Sequence, residues 1–335
     1  MDNSIPHKVR INLATAFSGI GAVETACGLL GFDTNIVFAG DVDTFCKETY
    51  FANYNIDESR WHNDVRKFDS TPYKGQIDLF VGGSPCQSFS VMGKRKGLEE
   101  ARGTLFYEYA RIISECMPKV FIYENVTGML NHDKGRTWQI ISEIFNNLGY
   151  HWKYWVLNAK DFGLPQNRRR IFVVGFRSDL KHYFDNLLEP QPFPLNVFVE
   201  DLLEDNVDNK YYLPIKGFIR VTSPNESKHV ALNHSVSRCQ VACQQYNWFG
   251  DMRFETNFPQ RIADDDRIFK GEYNGEIGVT RTLTPRECLR LMGYPDSFKI
   301  VVNDTQAYRQ SGNSIAINVI SNVVKNINIT GVFDE

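Results

Sequence analysis

Cys86 directly follows a proline, in a loop that two glycines open, within the segment GGSPCQSFS at residues 82–90. The apolar run Ile77–Val81 before this loop has the composition of a short buried strand. A structural cysteine usually lies inside an apolar element, where it packs as a small hydrophobic residue. Here, in contrast, the glycines loosen the backbone and Pro85 restricts it just past a strand end. A turn with an incidental thiol is the alternative that this loop alone leaves open.

Three other groups of residues able to bind or react follow predicted strands in the same way. They are the glycine loop FSGIG at 17–21, the acidic segment DVD at 41–43 and the segment ENV at 124–126. In open α/β sheets, ligands bind beyond the carboxyl ends of the strands, near the point where the strand order reverses. Four such groups after four separate strands therefore predict a single site.

The glycine loop has the spacing of a nucleotide-binding βαβ unit. Gly19 and Gly21 form a G-x-G pattern, and Asp41 follows Gly19 by 22 residues. Glycines let the backbone approach a ligand, while a carboxylate at that distance binds ribose hydroxyls. The third glycine of the dinucleotide pattern is absent, which favours an adenosyl ligand without a pyrophosphate. A tight strand-to-helix turn without a ligand is the alternative.

Apolar runs alternate with helical patterns over the first 180 residues, which predicts an α/β fold with a parallel sheet. The predicted strands are Ile11–Ala16, Ile36–Ala39, Ile77–Val81, Val120–Tyr123, Trp152–Leu157 and Ile171–Phe176. Trp138, Ile141, Phe145 and Leu148 share one helical face, and Gly149 is expected to end that helix. Further helical patterns occupy 284–292 and 316–326.

The composition and the hydrophobic periodicity of the sequence change from about Glu189. The proline-rich stretch EPQPFP begins there, and residues 200–280 show little periodicity but many Asn, Asp, Gly and aromatic residues. We therefore expect a second, smaller, loop-rich domain at 191–304, with 1–190 and 305–335 forming the first domain.

Composition limits the class of protein. The 335 residues are 42% hydrophobic, enough for a large core, and no apolar run reaches the roughly 18 residues of a membrane span. Seven cysteines, an odd number without framework spacing, argue against disulfides and for a reducing cytosol. The Cys239–Cys243 pair lacks the partners of a zinc site, so no metal is expected. The net charge of −3 argues against binding nucleic acid by bulk charge, although basic clusters lie at 94–96 and 168–170.

Eight short blocks occur in one order along the chain. They are AFSGIG at 16–21, NDV at 63–65, SPCQSFS at 84–90, RGTLF at 102–106, ENV at 124–126, QNRRR at 166–170, RTLTPRE at 281–287 and SGNSI at 311–315. With these blocks in this order, the chain resembles the bacterial cytosine-C5 DNA methyltransferases, and most of all their short GCGC-type members. The resemblance implies a Rossmann-like S-adenosylmethionine-dependent methyltransferase sheet with a smaller target-recognition domain that includes the hinge block 281–287.

The resemblance also implies the catalytic residues. Cys86 would be the nucleophile that adds to C6 of a cytosine flipped out of duplex DNA, because that bond lets C5 accept a methyl group and a thiolate both attacks and leaves well. Glu124 would contact N3 and the exocyclic amine and share a proton as charge develops on the ring. Arg168 and Arg170 share a face of the last predicted strand. Arg168 would hold the cytosine O2, and Arg170 would support the nucleophile loop.

S-adenosyl-L-methionine would lie across the strand ends. Its implied contacts are Phe17, Ser18, Gly19, Ile20, Gly21, Asp41, Val42, Asp64, Val65, Pro85, Leu105, Asn313 and Ser314. Asp41 would bind the ribose hydroxyls and Asp64 the adenine amine. The family usually has a glutamate followed by an aromatic residue where this chain has Asp41-Val42. The adenine therefore loses a packing partner, and a modest cofactor affinity is expected.

Double-stranded DNA is the implied partner, contacted by the loop after Cys86 and by the smaller domain. The predicted DNA-binding residues are Gln87, Ser90, Lys94, Arg102, Arg238, Gln240 and Arg253. The loop Ser88–Gly103 suits a lid that closes on DNA phosphates. The aromatic residues of 246–249 are expected in the core of the smaller domain. The Thr-Leu or Thr-Val target motif of the family is not evident between 200 and 280.

We therefore predict a DNA (cytosine-5-)-methyltransferase of a bacterial or phage modification system, acting as a cytoplasmic monomer at the nucleoid. The sequence leaves open the recognised site and whether a partner endonuclease exists. An RNA cytosine methyltransferase on the same core is one alternative. A nicotinamide-dependent oxidoreductase is another, although it gives no role to Cys86, Glu124 and Arg168 together. A catalytically silent DNA-binding homologue would not need the intact Cys86 and Glu124.

Overall fold

The computed structural model of the protein describes residues 8–85, 105–226 and 228–334. These residues form two compact units. The larger unit contains the described residues up to Asn158, then Arg169–Pro192 and those from Ile315 onward, and the smaller contains Ala159–Arg168 and Phe193–Ser314. The smaller unit thus runs past the limit at 304 drawn from the sequence, because the helix that ends at Asn313 packs within it.

A seven-stranded sheet is the framework of the larger unit in its described part. Its strands are β1 (Arg10–Ala16), β2 (Asp33–Gly40), β3 (Trp61–His62), β4 (Leu79–Gly82), β5 (Val120–Val126), β6 (Tyr150–Asn158) and β7 (Arg169–Arg177). They lie in the order β3-β2-β1-β4-β5-β7-β6, so the order reverses between β1 and β4. All six strands predicted from the sequence are present in this sheet, and its described part adds the two-residue β3.

The sequence pattern predicts a parallel sheet, but two strand pairings of the observed sheet depart from it. The strands β3, β2, β1, β4 and β5 pair in parallel, whereas β7 is antiparallel to both β5 and β6. The connection from β6 to β7, residues 159–168, is shorter than the roughly dozen residues that a parallel crossover needs. A short connection therefore forces the chain to return antiparallel.

Helices pack on the sheet of the larger unit. They are α1 (Ala22–Leu29), α2 (Thr44–Asn53), α3 (Leu105–Cys116), α4 (Arg136–Asn147), α5 (Lys181–Phe184) and α10 (Ile317–Ile329). The predicted helical face of α4 buries Ile141 and Phe145 against the aromatic residues of β5, and Gly149 follows the helix at a φ of 78°. The central strands are largely buried, as parallel strands between two layers of helices must be.

The smaller unit has its own four-stranded sheet. Its strands are β8 (Val230–Leu232), β9 (Gly250–Glu255), β10 (Lys270–Tyr273) and β11 (Glu276–Thr282), in the order β10-β11-β9-β8. Its helices are α6 (Ile215–Thr222), α7 (Gln260–Ala263), α8 (Pro285–Arg290) and α9 (Asp304–Asn313). The helical patterns at 284–292 and 316–326 thus correspond to α8 and α10. Within the described ranges, every helix is too short or too polar to span a bilayer.

Candidate active site

The carboxyl ends of four neighbouring strands define one edge of the large sheet. β2, β1, β4 and β5 are adjacent and parallel, so their carboxyl ends lie on the same side. The glycine loop follows β1 and Asp41 follows β2. Residues 83–85 follow β4, and Glu124 lies near the end of β5. The described parts of all four predicted groups therefore share this edge.

The glycine loop turns sharply between β1 and α1. Phe17, Gly19 and Gly21 adopt left-handed backbone conformations, with φ angles of 56°, 54° and 82°. Glycine is required at position 21, because a Cβ there would lie 2.2 Å from the Tyr54 ring. At Gly19 a Cβ would meet no atom within 4 Å, so the backbone borders open space. A ligand can approach the loop closely at that point.

Asp41 connects the end of β2 to the glycine loop. Its carboxylate accepts hydrogen bonds from the backbone N–H groups of Gly19, at 3.0 Å, and Asp43, at 2.9 Å. Burial raises the pKa of Asp41, and these N–H donors oppose the rise. The carboxylate therefore helps to shape the loop and keeps lone pairs with which to accept bonds from ligand hydroxyls.

The surroundings of the loop fit an adenosyl ligand. Val42, directly after Asp41, is 76% exposed, so an apolar side chain stands uncovered beside the carboxylate. Ile20 is buried and Phe17 packs against the main core, which fixes the loop from below. A carboxylate for ribose, an open glycine backbone and an uncovered apolar side chain for adenine are the groups that S-adenosyl-L-methionine requires.

Four other residues of the larger unit were predicted to contact the cofactor, and they differ in burial and in hydrogen bonding. Asp64 begins a 3₁₀ turn, and each of its carboxylate oxygens accepts a bond of 2.9 Å from the Arg66 guanidinium. This pairing lowers the pKa of Asp64. Val65 is buried in the main core, Leu105 packs against that core, and Pro85 is exposed. The Asp64 carboxylate keeps a lone pair beside these bonds, and its adenine contact remains a prediction.

A buried carboxyl group beneath the glycine loop was not expected from the sequence. Glu24 of α1 accepts hydrogen bonds at one oxygen from the hydroxyls of Thr15, at 2.9 Å, and Tyr50, at 2.8 Å. The Thr15 hydroxyl also bonds to Ser18 of the loop, and the Ser18 N–H donates to the Gly40 carbonyl. Burial raises the pKa of Glu24, which favours its neutral acid form. The one sequence feature that could have indicated this group is the position of Glu24, an acidic residue on the inward face of α1.

The loop of Cys86 is described only at its beginning. Outside the described residues lie Cys86, Gln87, Ser90, Lys94, Arg102 and the predicted lid Ser88–Gly103. At the described beginning of the loop, the Asn125 amide donates to the Ser84 carbonyl, at 2.8 Å, and to the Tyr123 hydroxyl, at 2.9 Å. All three side chains are buried. Asn125 of the ENV block thus fixes the backbone two residues ahead of Cys86.

Glu124 lies beside both Gly83 and Arg170. Arg170 Nε is 3.2 Å from Glu124 Oε1, and both side chains are mostly buried. A Cβ on Gly83 would lie 2.7 Å from the Glu124 carbonyl oxygen and 3.1 Å from Oε2. Gly83 precedes Cys86 by three residues, so the chain that leads to Cys86 passes directly against this carboxyl group.

Arg168 is buried in the smaller unit. Its guanidinium donates to the carbonyl groups of Gln240, at 2.8 Å, Gly312, at 3.1 Å, and Ser314, at 2.6 Å. A guanidinium bound to three carbonyl oxygens holds chain segments together. Arg168 thus holds chain segments of the smaller unit, whereas Arg170 lies beside Glu124. The roles expected for the two arginines at the cytosine and at the loop of Cys86 remain predictions.

The SGNSI block ends the smaller unit. The Ser314 hydroxyl is buried 2.7 Å from the Tyr294 hydroxyl, whereas Asn313, the last residue of α9, is exposed. A Cβ on Gly312 would lie 2.3 Å from the Val241 backbone, so glycine allows the two chain segments to touch. Within its unit, the block supports the segment around residue 240. The cofactor contacts of Asn313 and Ser314 remain predictions.

The two arginines predicted to bind DNA from the smaller unit are used inside the protein. Arg238 donates to three backbone carbonyl groups. Arg253 is buried in β9 and donates to Glu200 at 3.1 Å. Several of their donors are thus used by protein acceptors, and the base contacts expected of Arg238 and Arg253 remain predictions. Gln240 is buried as well, in the wall of a cleft.

The aromatic residues of 246–249 were expected in the core of the smaller domain, but not all of them lie there. Trp248 packs against a core cluster of the smaller unit that includes Leu213 and Met252. Tyr246, in contrast, is 69% exposed. The reason is a turn in the chain, since Gln245, Asn247 and Trp248 all have positive φ angles. The turn carries Tyr246 outward.

In the described residues, no group of three or more His, Cys, Asp or Glu side chains is arranged to hold a metal ion. Cys239 is half-buried, and Cys243 is exposed. The Cys239 sulfur lies 3.6 Å from an Arg168 nitrogen, within the set of contacts that surrounds that guanidinium.

Comparison with known proteins identifies relatives along most of the chain. The model of the family described as C-5 cytosine-specific DNA methylase matches residues 11–328. Type II methyltransferase M.SsoII of Shigella sonnei is 37% identical over 328 residues, which cover 95% of this chain and 80% of that protein. Type II methyltransferase M.HhaI of Haemophilus parahaemolyticus is 35% identical over 328 residues, which cover 93% of this chain and 92% of that protein.

A solved structure shows the same fold. A crystal structure of a variant of Spodoptera frugiperda DNMT2 superposes with a TM-score of 0.72 over 95% of this chain and 99% of that chain, at 22% sequence identity. At this identity the likeness concerns the fold. It confirms the S-adenosylmethionine-dependent methyltransferase fold expected from the sequence.

Proposed function

The chain belongs to the C-5 cytosine-specific DNA methylase family, and we propose that it methylates a flipped-out cytosine of duplex DNA through a covalent bond between Cys86 and C6. As a family member it is a DNA (cytosine-5-)-methyltransferase, and S-adenosyl-L-methionine is its methyl donor. One observation carries the covalent route. Glu124 is paired with Arg170 at 3.2 Å and lies against Gly83, at the entry to the loop of Cys86.

The covalent route solves a problem of reactivity, because C5 of cytosine is too weak a nucleophile to take a methyl group unaided. The Cys86 thiolate adds to C6, N3 takes a proton, and the electron pair of the 5,6 double bond becomes available at C5. C5 then bonds to the methyl group, while the sulfonium sulfur keeps the electron pair of the broken bond. Loss of the C5 proton and expulsion of the thiolate restore the double bond.

Glu124 and Arg170 are suited to the polar edge of the cytosine. We assign Glu124 to N3 and the exocyclic amine, where its carboxyl group supplies and recovers the proton. Arg170, held beside it, places a fixed positive charge where negative charge develops on the ring. Asn125 and Gly83 are positioning residues, because they hold the loop backbone and admit it against Glu124.

S-adenosyl-L-methionine, when bound, supplies a methyl group on a positively charged sulfur. Asp41 would bind its ribose hydroxyls, and the open backbone at Gly19 would lie along the ligand. Val42 would offer the adenine a smaller apolar surface than the aromatic ring that the family usually has there. Ser18 and Glu24 hold the loop in position from below.

The biological setting follows from the substrate and the relatives. A base inside a duplex cannot reach the active site, so the cytosine must flip out, at a cost of about a few kcal/mol. We propose a type II restriction–modification role with a cognate endonuclease, because the relatives M.SsoII and M.HhaI are named type II methyltransferases. We also propose that the enzyme acts as a monomer at the bacterial nucleoid, where duplex DNA is found.

Transfer of labelled methyl groups from S-adenosyl-L-methionine tests this function. Duplex plasmid DNA is expected to be labelled at C5 of cytosine within one short sequence, which bisulfite sequencing identifies. Transfer RNA is the comparison substrate, since an RNA enzyme on the same core would label it instead. Labelling of tRNA without labelling of duplex DNA would refute the proposal.

Replacing Asp41 is expected to weaken the cofactor more than DNA. Asp41→Ala removes a charge-assisted acceptor for ribose and the partner of the Gly19 N–H, which costs about 1.5–3 kcal/mol of cofactor binding. Calorimetry with S-adenosyl-L-methionine and with duplex DNA measures the two affinities separately. Asp57→Ala, at an exposed acid of the same unit, is the control and should change neither. Equal weakening of cofactor and DNA by Asp41→Ala would contradict the assignment.

A further inference from the structure

Glu24 is a buried acidic residue that none of the proposed chemical steps uses. It lies in the first turn of α1 and is only 6% exposed. In the described residues, the side-chain partners of its carboxyl group are the hydroxyls of Thr15 and Tyr50 rather than a cation. Burial of a carboxyl group costs free energy that hydrogen bonds must offset, so these partners indicate its role.

A directed chain of hydrogen bonds leads from Glu24 to the glycine loop. Thr15 donates its single hydroxyl proton to Glu24 Oε1 at 2.9 Å. In the 2.8 Å bond between the hydroxyls of Thr15 and Ser18, Ser18 must therefore be the donor. The Ser18 oxygen in turn accepts from the Gly40 N–H at 2.8 Å. Each hydroxyl of this chain thus has one orientation, which the carboxyl oxygen at the end of the chain imposes.

The chain ends at the junction between the glycine loop and β2. The Ser18 N–H donates to the Gly40 carbonyl at 2.9 Å, so two bonds join these residues. The residues that follow them, Gly19 and Asp41, form the 3.0 Å bond that shapes the ribose side of the predicted cofactor site. The orientation of the Ser18 hydroxyl therefore decides whether the junction keeps its second bond, and the junction sets where the Asp41 carboxylate stands.

The other end of the glycine loop is held by separate contacts. The Tyr54 hydroxyl donates to the Gly21 carbonyl at 2.6 Å, and the Tyr54 ring fills the space beside Gly21. Neither contact passes through Glu24. Loss of the chain from Glu24 is therefore expected to loosen the Ser18 end of the loop while the Gly21 end stays in place.

The carboxyl group of Glu24 acts as an acceptor rather than as a charge. Burial raises the pKa of Glu24, which favours the neutral acid. Oε1 accepts from both Thr15 and Tyr50, whereas Oε2 has no hydrogen-bond partner among the described residues. A neutral acid with its proton on Oε2 keeps Oε1 as a carbonyl-type acceptor. The amide oxygen of a glutamine at this position can accept the same two bonds.

From these contacts we propose that Glu24 is a positioning residue for S-adenosyl-L-methionine: by orienting Thr15 and Ser18 it holds the Asp41 carboxylate where the ribose hydroxyls bind. This role rests on the proposed function, because it concerns the cofactor site of the same enzyme. Since the chain ends at the glycine loop, its effect is expected in the affinity for the cofactor and not in the affinity for DNA.

Removal of the acceptor and of the link to the loop tests this role. Glu24→Leu leaves two hydroxyls without their acceptor, and Thr15→Val, which has nearly the same shape, interrupts the chain but keeps the acid. Each variant is expected to weaken S-adenosyl-L-methionine about tenfold, as loss of an oriented hydrogen bond does, and to leave the affinity for duplex DNA unchanged. Glu24→Gln keeps the acceptor and should bind the cofactor within about twofold of wild type. Calorimetry measures both affinities.

A double variant shows whether Thr15 and Glu24 act through one chain. Thr15→Val combined with Glu24→Leu should weaken the cofactor no more than either single change, because each change alone already interrupts the chain. Tyr150→Phe is the matched control, since it removes a buried hydroxyl bond of 2.7 Å to the Pro118 carbonyl, at the amino ends of β5 and β6. This control should lower the melting temperature and keep the wild-type affinity for the cofactor.

Melting temperatures show which variants fold. Weaker cofactor binding by folded Thr15→Val, with Glu24→Gln and Tyr150→Phe near wild type, supports the inference. Wild-type cofactor affinity in folded Thr15→Val would overturn it, whether or not Glu24→Leu folds, and so would a tenfold loss in folded Glu24→Gln. A wild-type protein that binds S-adenosyl-L-methionine and methylates no DNA would overturn the proposed function alone, because the cofactor affinities still decide the role of Glu24.

Discussion

Cys86→Ser is expected to abolish methyl transfer, with a loss on the order of 10⁴-fold or more, while DNA binding persists. A hydroxyl is not ionised near neutral pH, so it cannot add to C6 as a thiolate does. Without that bond C5 stays unreactive, although the cofactor loop and Glu124 are unchanged. The expected pattern is therefore loss of turnover with retained affinity for duplex DNA.

A mechanism-based trap measures the covalent step directly. On duplex DNA with 5-fluorocytosine at the target, wild-type protein and cofactor should form an adduct that survives denaturing electrophoresis, because fluorine cannot leave C5 as the proton does. Cys243→Ser, at an exposed cysteine of the smaller unit, is the control and should form the same adduct. An adduct with Cys86→Ser would show that another residue is the nucleophile.

Arg281→Met is expected to destabilise the smaller unit by about 3–5 kcal/mol, because it leaves a buried carboxylate without its charge partner. Arg281 and Glu287 side chains are each 1% exposed and form two bonds, of 2.8 and 2.9 Å. Burial opposes the charge on Arg281, but Glu287 and Glu255 outweigh it and raise its pKa. The pair also joins β11 to the first turn of α8, which Glu287 caps with Thr284.

Chemical denaturation followed by tryptophan fluorescence reports this loss, since Trp248 packs in the core of the smaller unit. Arg267→Met is the matched control. Its guanidinium also forms a two-bond pair, with Asp265, but its side chain is 84% exposed, so no measurable change is expected. An equal loss in the free energy of unfolding for Arg281→Met and Arg267→Met would contradict the prediction that the buried pair is the more stabilising of the two.

The sequence was sufficient for the framework of the larger unit and for the order of its chemical groups. Each central strand is a short apolar run that is buried in the sheet, so composition alone identifies it. Groups that follow such strands must meet at one edge when the strands are parallel. The glycine loop, Asp41 and Glu124 are therefore expected together at that edge from the sequence alone. The family followed from eight blocks in one order, and the comparisons confirm it.

The hydrogen-bond partners of individual side chains could not be predicted from the sequence as the strands were. Arg168 and Arg170 are two residues apart on one predicted strand, and the sequence treats them alike. In the structure Arg170 pairs with Glu124, whereas Arg168 is bound to three carbonyl groups. The allocation of roles therefore depends on where carboxylate and carbonyl oxygens lie in space. The antiparallel return of β7 has a similar cause, namely the short connection before it.

The smaller unit shows most clearly where prediction of burial from the sequence fails. Arg253 looks like a DNA-binding residue in the sequence, yet it is buried beside Glu200, while Tyr246 looks like a core residue and is exposed. Periodicity is absent there, so nothing local indicates which face of the chain is inside. Burial is decided by contacts between segments far apart in sequence, such as Arg281 with Glu255 or Gln244 with Ser311. Local pattern is a strong guide where regular strands and helices repeat it, and a weak one where long-range hydrogen bonds hold irregular loops in place.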